Sequence, residues 1–254
     1  KKMKSAAAEE KALQKFIGDG MIFFKFLLER LETPEIKYRL MLNLGDLCRY
    51  SSDNKKAEEF YLKASNLAPK SGICYNQIAV VNQLNKYYIN SLYYYVRALT
   101  ATEKFEFAKS NMKRVFDDIR SQSETERTKQ FILDLLGIME KYIKREAAID
   151  YRHVMKDFSD ILKSKNFGEF LLLKINVVLM YLSSTNVDLF NLLIDFNGAI
   201  LDVIISTEVK KIVKYLGPVV VFLDFIIQNN LVEKAEKYCN FVEKVKSVHK
   251  KYSV

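Results

Sequence analysis

Residues 44–50 read LGDLCRY, residues 57–81 AEEFYLKASNLAPKSGICYNQIAVV and residues 91–116 SLYYYVRALTATEKFEFAKSNMKRVF. Sliding the chain along itself by 34 residues lays Leu44 on Ile78, Gly45 on Ala79, Ala57 on Ser91, Tyr61 on Tyr95 and Ala64 on Ala98. Small residues recur where helices must touch and large ones where a hole must be filled, and Pro69 closes the first unit. A helix–turn–helix unit repeating at that period is the tetratricopeptide pattern, here over about residues 38–104.

Working outward, Thr33-Pro34-Glu35 fits an N-cap followed by proline at the first helical position, which starts the helix that carries LGDLCRY. Before it, Leu13, Phe16, Ile17, Met21, Phe24, Leu27, Leu28 and Leu31 recur at spacings of three and four. That pattern predicts a helix over 11–32 with a break at Gly18-Asp19-Gly20. The chain opens at Lys1 in what reads as mid-helix, as expected of a piece of something longer. After the repeats, helices are expected over 108–121, 124–144 and 147–164. Long apolar stretches over 170–182, 187–205 and 209–228 follow, and a lysine-rich amphipathic helix over 232–252 ends the chain. The expected organisation is a repeat-built domain over 1–123 and a helical-hairpin extension over 124–254 packed on it, with no Gly-, Ser- or Pro-rich linker between them.

Composition agrees with an all-α chain. The 254 residues contain 8 Gly and 3 Pro, where average usage gives about 30 of the two together. Nucleotide-binding loops, which need several glycines together, are excluded. The net charge of +9 favours acidic partners without choosing among phosphopeptide, nucleic acid and an acidic protein face. Cys48, Cys74 and Cys239 form no CxxC pair, and His153 and His249 are far apart, so no metal or cofactor is expected and the odd cysteine count suits a reducing compartment. The most apolar run, Tyr215 to Ile227, is short of the ~20 residues that span a bilayer, and a buried helix is expected. With two histidines and no nucleophile motif, catalysis would rest on carboxylates alone, and no enzyme activity is expected.

The informative side chains lie on the first helix of each repeat, which lines the concave face of a tetratricopeptide stack. Repeat geometry aims Asp46, Arg49, Tyr50, Asn76, Val80 and Gln83 into it. Arg49 supplies a planar, permanently charged fork suited to phosphate or carboxylate, Tyr50 adds a hydroxyl, and Asn76 has the donor and the acceptor that an extended peptide backbone needs. The alternative from spacing alone is a structural ion pair between Arg49 and Asp46, three residues earlier. Tyr93-Tyr94-Tyr95 resembles a nucleic-acid stacking platform, but consecutive helical residues point in different directions and packing is expected. Lys234, Lys237, Lys244, Lys246, Lys250 and Lys251 alternate with Glu233, Glu236 and Glu243, which reads as a solvated face more than an RNA contact.

The order LGDxxRY, A-x3-Y-x2-A-x2-L-x-P-x2-G-x2-YNQ-A, YYY-x-R-[AS]-L and F-x2-A-x2-N resembles the 14-3-3-like domain of the SMG/Est family, the scaffold proteins of nonsense-mediated mRNA decay and the telomerase-associated Est subunits. The likeness covers about 75 residues strongly. It implies a nine-helix 14-3-3-like bundle continued by helical hairpins, without catalytic activity. It further implies that Arg49, with Tyr50 beside it, helps bind phosphoserine and that Asn76 holds the peptide backbone. The family's second basic residue comes from an earlier helix, and Lys11, Lys15 and Lys25 are the positional candidates in residues 1–40. The expected role is a cytoplasmic adaptor that recruits decay factors to a phosphorylated RNA helicase and assembles with a paralogous SMG protein. The rivals are a nuclear, telomerase-associated subunit that binds RNA, a heterodimerisation module whose phosphate pocket has decayed, and a tetratricopeptide adaptor for C-terminal carboxylates.

Overall fold

The computed structural model describes residues 2–120, 122–146, 149–164, 168–184, 186–206, 213–229, 231 and 239–252. Among these residues every regular element is a helix, and strand-like pairing is limited to an isolated parallel bridge between Ser71 and Glu103. Two compact units are formed, Lys1–Val115 and Phe116–Val254.

The first unit holds α1 (Lys2–Arg30), α2 (Pro34–Tyr50), α3 (Asn54–Leu67), α4 (Gly72–Leu84), α5 (Tyr88–Thr100) and the start of α6 (Ala108–Ile119). Pro34 opens α2 as its first residue, where its missing N–H costs nothing. Thr33 sits at the cap position but makes no side-chain cap bond. Asp53 caps α3, its carboxylate accepting from the Lys56 N–H at 3.2 Å. The expected break at Gly18–Gly20 does not occur, and α1 runs unbroken through both glycines. A Cβ at Gly20 would sit 3.1 Å from Leu47 Cδ1, so that glycine lets α1 and α2 approach closely.

The 34-residue repeat is a packing repeat. Leu44 and Ile78, Ala57 and Ser91, and Ala64 and Ala98 are all fully buried, Tyr61 and Tyr95 are inaccessible to within a per cent, and Gly45 and Ala79 are both buried. Helices α2 and α3 pack as one pair and α4 and α5 as the next, with α3 against α4 joining them. Gly72 lies where the chain crosses itself: a Cβ there would be 2.6 Å from the Ala98 carbonyl and 2.7 Å from the Phe105 nitrogen.

The second unit contains α7 (Arg127–Ile143), α8 (Arg152–Lys163), α9 (Glu169–Ser183), α10 (Val187–Ser206), α11 (Val213–Gln228) and α12 (Cys239–Tyr252). The expected helical stretches 209–212 and 232–238, with Lys234 and Lys237, lie outside the described residues, as do 147–148. The rings of Phe131, Phe158 and Phe196 stack in series, with centroids 5.3 and 4.2 Å apart. Between α9 and α10, Asn176 and Asn197 exchange amide hydrogen bonds of 2.8 Å in both directions. Asn176 also donates to the carbonyl of Pro218 and Asn197 to that of Leu193, so this buried pair is well satisfied. The segment Leu189–Ser206 is long and apolar enough to cross a membrane by length and composition, and 72% of it is buried in the structure, as in a core helix.

Candidate functional site

Helix α2 ends on the turn that carries Asp46, Arg49 and Tyr50, and Gly45 just before them has no side chain, which lets the Tyr61 ring of α3 lie against the helix. The Tyr61 hydroxyl therefore reaches Asp46 and donates to Oδ1 at 2.6 Å. Gln77 of α4 donates to the same oxygen at 2.9 Å, and Arg49 reaches it through Nη2 at 3.3 Å. Arg49 Nε points at the Tyr61 hydroxyl at 3.4 Å, and its guanidinium carbon lies 4.5 Å from the centre of the Tyr50 ring. The ion pair between Arg49 and Asp46, the alternative that their spacing offered to a ligand-binding Arg49, is thus present, and it belongs to a four-residue cluster.

Electrostatics keep Arg49 and Tyr61 in one protonation state. Burial alone disfavours the Arg49 charge, but the contacts with Tyr61, Tyr50 and Asp46 outweigh it and push its pKa up, so it remains a cation at any physiological pH. Burial, and then donation to Asp46, push Tyr61 up as well, so its hydroxyl stays a donor. Both partners of the ion pair keep some solvent access, with side-chain exposures of 20% for Arg49 and 32% for Asp46. Tyr50 is 61% exposed at the edge.

Asn76 is brought into the same polar chain but not to the surface: it is 5% exposed. Its Oδ1 accepts from Asn111 Nδ2 of α6 at 3.0 Å, and its own Nδ2 has only a 3.5 Å approach to Gln77 Oε1. Val80 is half-buried on α4. Gln83 is drawn aside, its carbonyl accepting from the Tyr95 hydroxyl at 2.9 Å. Lys11, Lys15 and Lys25 are all exposed on α1. Sequence reading missed Tyr61, Gln77 and Asn111 as members of this cluster. Gln77 and Asn111 nonetheless stand in the motifs YNQ and F-x2-A-x2-N, and Tyr61 marks the repeat.

Elsewhere the tyrosine run behaves as packing. Tyr95 is core, while Tyr93 and Tyr94 meet edge-on at 5.1 Å near Arg97, which stacks on Tyr75 and donates to its hydroxyl at 2.8 Å. On α12, Lys244 pairs with Asp202, Lys246 with Glu243, and Lys251 reaches the Ile205 carbonyl. Among the described residues no group of His, Cys, Asp and Glu is placed to hold a metal ion. Burial pushes the Cys74 thiol up to about 12 and raises Cys48 as well, so neither is an activated nucleophile.

Comparison with known proteins places this geometry in a family. The chain is 28% identical to the telomerase-binding protein EST1A of Danio rerio over 44% of its own length and 9% of that protein's. It is 34% identical to the nonsense-mediated mRNA decay factor SMG5 of Danio rerio (32% of this chain, 8% of that one) and 30% identical to an SMG7-like decay factor of Arabidopsis thaliana (45% and 16%). The aligned part is thus a small fraction of each relative. The solved C. elegans SMG5–SMG7 complex shares the fold, with a TM-score of 0.59 over 75% of this chain and 51% of that chain at 17% identity. The model of the Est1 DNA/RNA binding domain family matches residues 57–254, beginning after Arg49 and Tyr50. A match over so much of the sequence makes this chain a member of the Est1 DNA/RNA binding domain family, related to the SMG decay factors.

Proposed function

We propose that this protein is a non-catalytic, cytoplasmic adaptor of nonsense-mediated mRNA decay that binds a phosphoserine-containing segment of the phosphorylated decay helicase through Arg49, Tyr50 and Asn76, and assembles with a paralogous SMG protein. The observation that carries the reading is the orientation of Arg49. Its Nε and one Nη2 hydrogen turn inward to Tyr61 and Asp46, which leaves the Nη1 side of the fork to meet a phosphate. A guanidinium anchored along one edge loses little freedom when it binds, so the anchoring favours capture of a planar or tetrahedral anion. The same reading takes Asp46, Val80 and Gln83 as possible peptide-contacting residues of the concave face.

A second reading, an Est-type subunit that binds RNA, is favoured by the description of the matched family and by the matched range, which leaves Arg49 out. A titration separates the two. Paired phosphoserine and unmodified peptides from the helicase are titrated into wild type and Arg49→Glu, with circular dichroism to check folding and a single-stranded RNA titrated at two salt concentrations. Phosphate-dependent binding that disappears in the folded variant is the expected result. Equal binding of both peptides, with strong salt-dependent RNA binding, overturns it in favour of the RNA reading.

A further inference from the structure

A cleft of about 560 Å³ opens between the start of α2, the α3–α4 turn and the segment before α6, and its polar lining is Glu35, Tyr38, Arg39, Lys70, Ser71 and Glu103. That size is ordinary for a ligand site. The Tyr38 and Ser71 hydroxyls share a hydrogen bond of 2.9 Å and so hold each other. The four charged side chains are unspent: among the described residues none of them has an ion pair or a side-chain hydrogen bond. Glu35 and Arg39 stand one turn apart on α2, a spacing at which opposite charges commonly meet, yet no ion pair joins them. Glu35 lies in the first turn of α2, where the positive helix end offsets its charge. Glu103 alone is left to oppose Arg39 and Lys70, so the cleft is cationic on balance.

The cleft is aligned with Arg49. Tyr38 precedes Arg49 by eleven residues on α2. That is just over three turns, so the two lie on one face of the helix, about 16 Å apart along its axis. An extended chain advances about 3.3 Å per residue, so a peptide held at Arg49 brings about its fifth neighbouring residue to the cleft. We propose that this cleft is an acidic-residue subsite of the phosphopeptide face: Arg39 and Lys70 receive the carboxylate of an aspartate or glutamate about five residues from the phosphoserine, with Glu103 as the one opposing charge. The proposal rests on the phosphoserine reading above and gives that site a sequence preference. A net charge of +9 draws acidic partners to the whole surface, whereas the cleft makes the preference depend on position. Arg39 and Lys70 are both exposed, so their pull is modest and falls as salt rises.

The test uses the 254-residue chain and the phosphoserine peptide of the decay helicase, its flanks made neutral and a single aspartate moved one residue at a time away from the phosphoserine on either side. Aspartate at about the fifth position on one side is expected to tighten binding about 3- to 5-fold over alanine. That gain is expected to vanish in the double variant Arg39→Gln, Lys70→Gln, which still binds the alanine peptide as wild type does, and to grow about twofold in Glu103→Gln. A gain spread evenly over all positions overturns the assignment, as does one that persists in full in the double variant. If the double variant does not fold, wild type and Glu103→Gln decide, and the absence of a preferred position, or a gain unchanged in Glu103→Gln, overturns the proposal. Equal binding of the phosphorylated and unmodified peptides is a different failure: it removes the phosphoserine reading itself, and this subsite with it.

Discussion

The ring of Tyr61 lies against Gly45 so closely that a Cβ on that glycine would stand 2.4 Å from Cε1 and 2.6 Å from Cδ1. Neither side can yield, because Tyr61 is fully buried and Gly45 sits on a helix packed against α3. Gly45→Ala gains helix propensity worth up to about 1 kcal/mol but overpacks a rigid ring, which costs about 1–3 kcal/mol or more. A net loss of stability is expected, read as a lower thermal midpoint. Because the displaced ring carries the hydroxyl that holds Asp46, phosphopeptide affinity is expected to fall in the same variant even where it remains folded.

Ser91 occupies in the second repeat the place of Ala57 in the first, and both are fully buried. The Ser91 hydroxyl has no hydrogen-bond partner among the described residues. Ser91→Ala removes an unpaired buried polar group without leaving a cavity, so a gain of about 1 kcal/mol is expected. Chemical denaturation of the two proteins measures it, and a loss of stability would mean that the hydroxyl is bonded in solution.

These two positions show what was legible in the sequence. The repeat announced itself because packing fixes residue size at each position, and size recurs with the period: Gly45 with Ala79, Tyr61 with Tyr95, Ala64 with Ala98. The break expected at Gly18–Gly20 was a misreading of local preference. Two glycines cost a helix about 2 kcal/mol, which is small beside the packing of α1 on α2 that Gly20 permits. Arg49 and Asp46 could be placed together by their spacing, but not the third and fourth members of their cluster. Tyr61 and Gln77 come from other helices, and their approach depends on tertiary geometry that no local pattern encodes. The same holds for Asn111, whose partner Asn76 lies 35 residues earlier.

The pair Asn176–Asn197 ties α9 to α10 and α11 through three buried hydrogen bonds, and a fourth, from Asn197 to the Leu193 carbonyl, lies within α10. Asn176→Ala strands the Asn197 amide, and a loss of about 2–3 kcal/mol is expected. The double variant Asn176→Leu, Asn197→Leu removes both partners together and is expected to recover much of that loss. Urea midpoints of the three proteins give the comparison, and a double variant no better than the single one argues that the pair is needed as a pair.

Glu140 sets a pH dependence whose sign can be worked out. Burial on its own raises its pKa, but the bonds from Arg120 and Lys144 outweigh that and hold the carboxyl below its ordinary 4.5. A carboxylate depressed on folding contributes stability that is fully present above 4.5 and is lost as pH falls through the folded-state value. Wild type is therefore expected to exceed Glu140→Gln by up to about 1 kcal/mol near neutrality, because Arg120 and Lys144 are themselves half-exposed. Denaturation at about pH 7 and about pH 3 should show the difference in full at the first and reduced at the second.

Arg49→Lys separates charge from geometry. The guanidinium meets Tyr61 through Nε and Asp46 through Nη2 at once, and in the proposed complex it offers phosphate a further edge. A lysine ammonium is a single nitrogen at the end of a flexible stem and cannot hold three such partners in one plane. The fold is expected to survive, since the site lies at the partly exposed end of α2 and the α2–α3 core does not depend on the guanidinium. Phosphopeptide affinity is expected to fall by about tenfold, between wild type and the complete loss expected for Arg49→Glu. Isothermal titration of the three proteins orders them. If lysine binds as tightly as arginine, the site reads phosphate as a point charge, and the anchoring by Tyr61 and Asp46 serves the packing of the repeat instead of recognition.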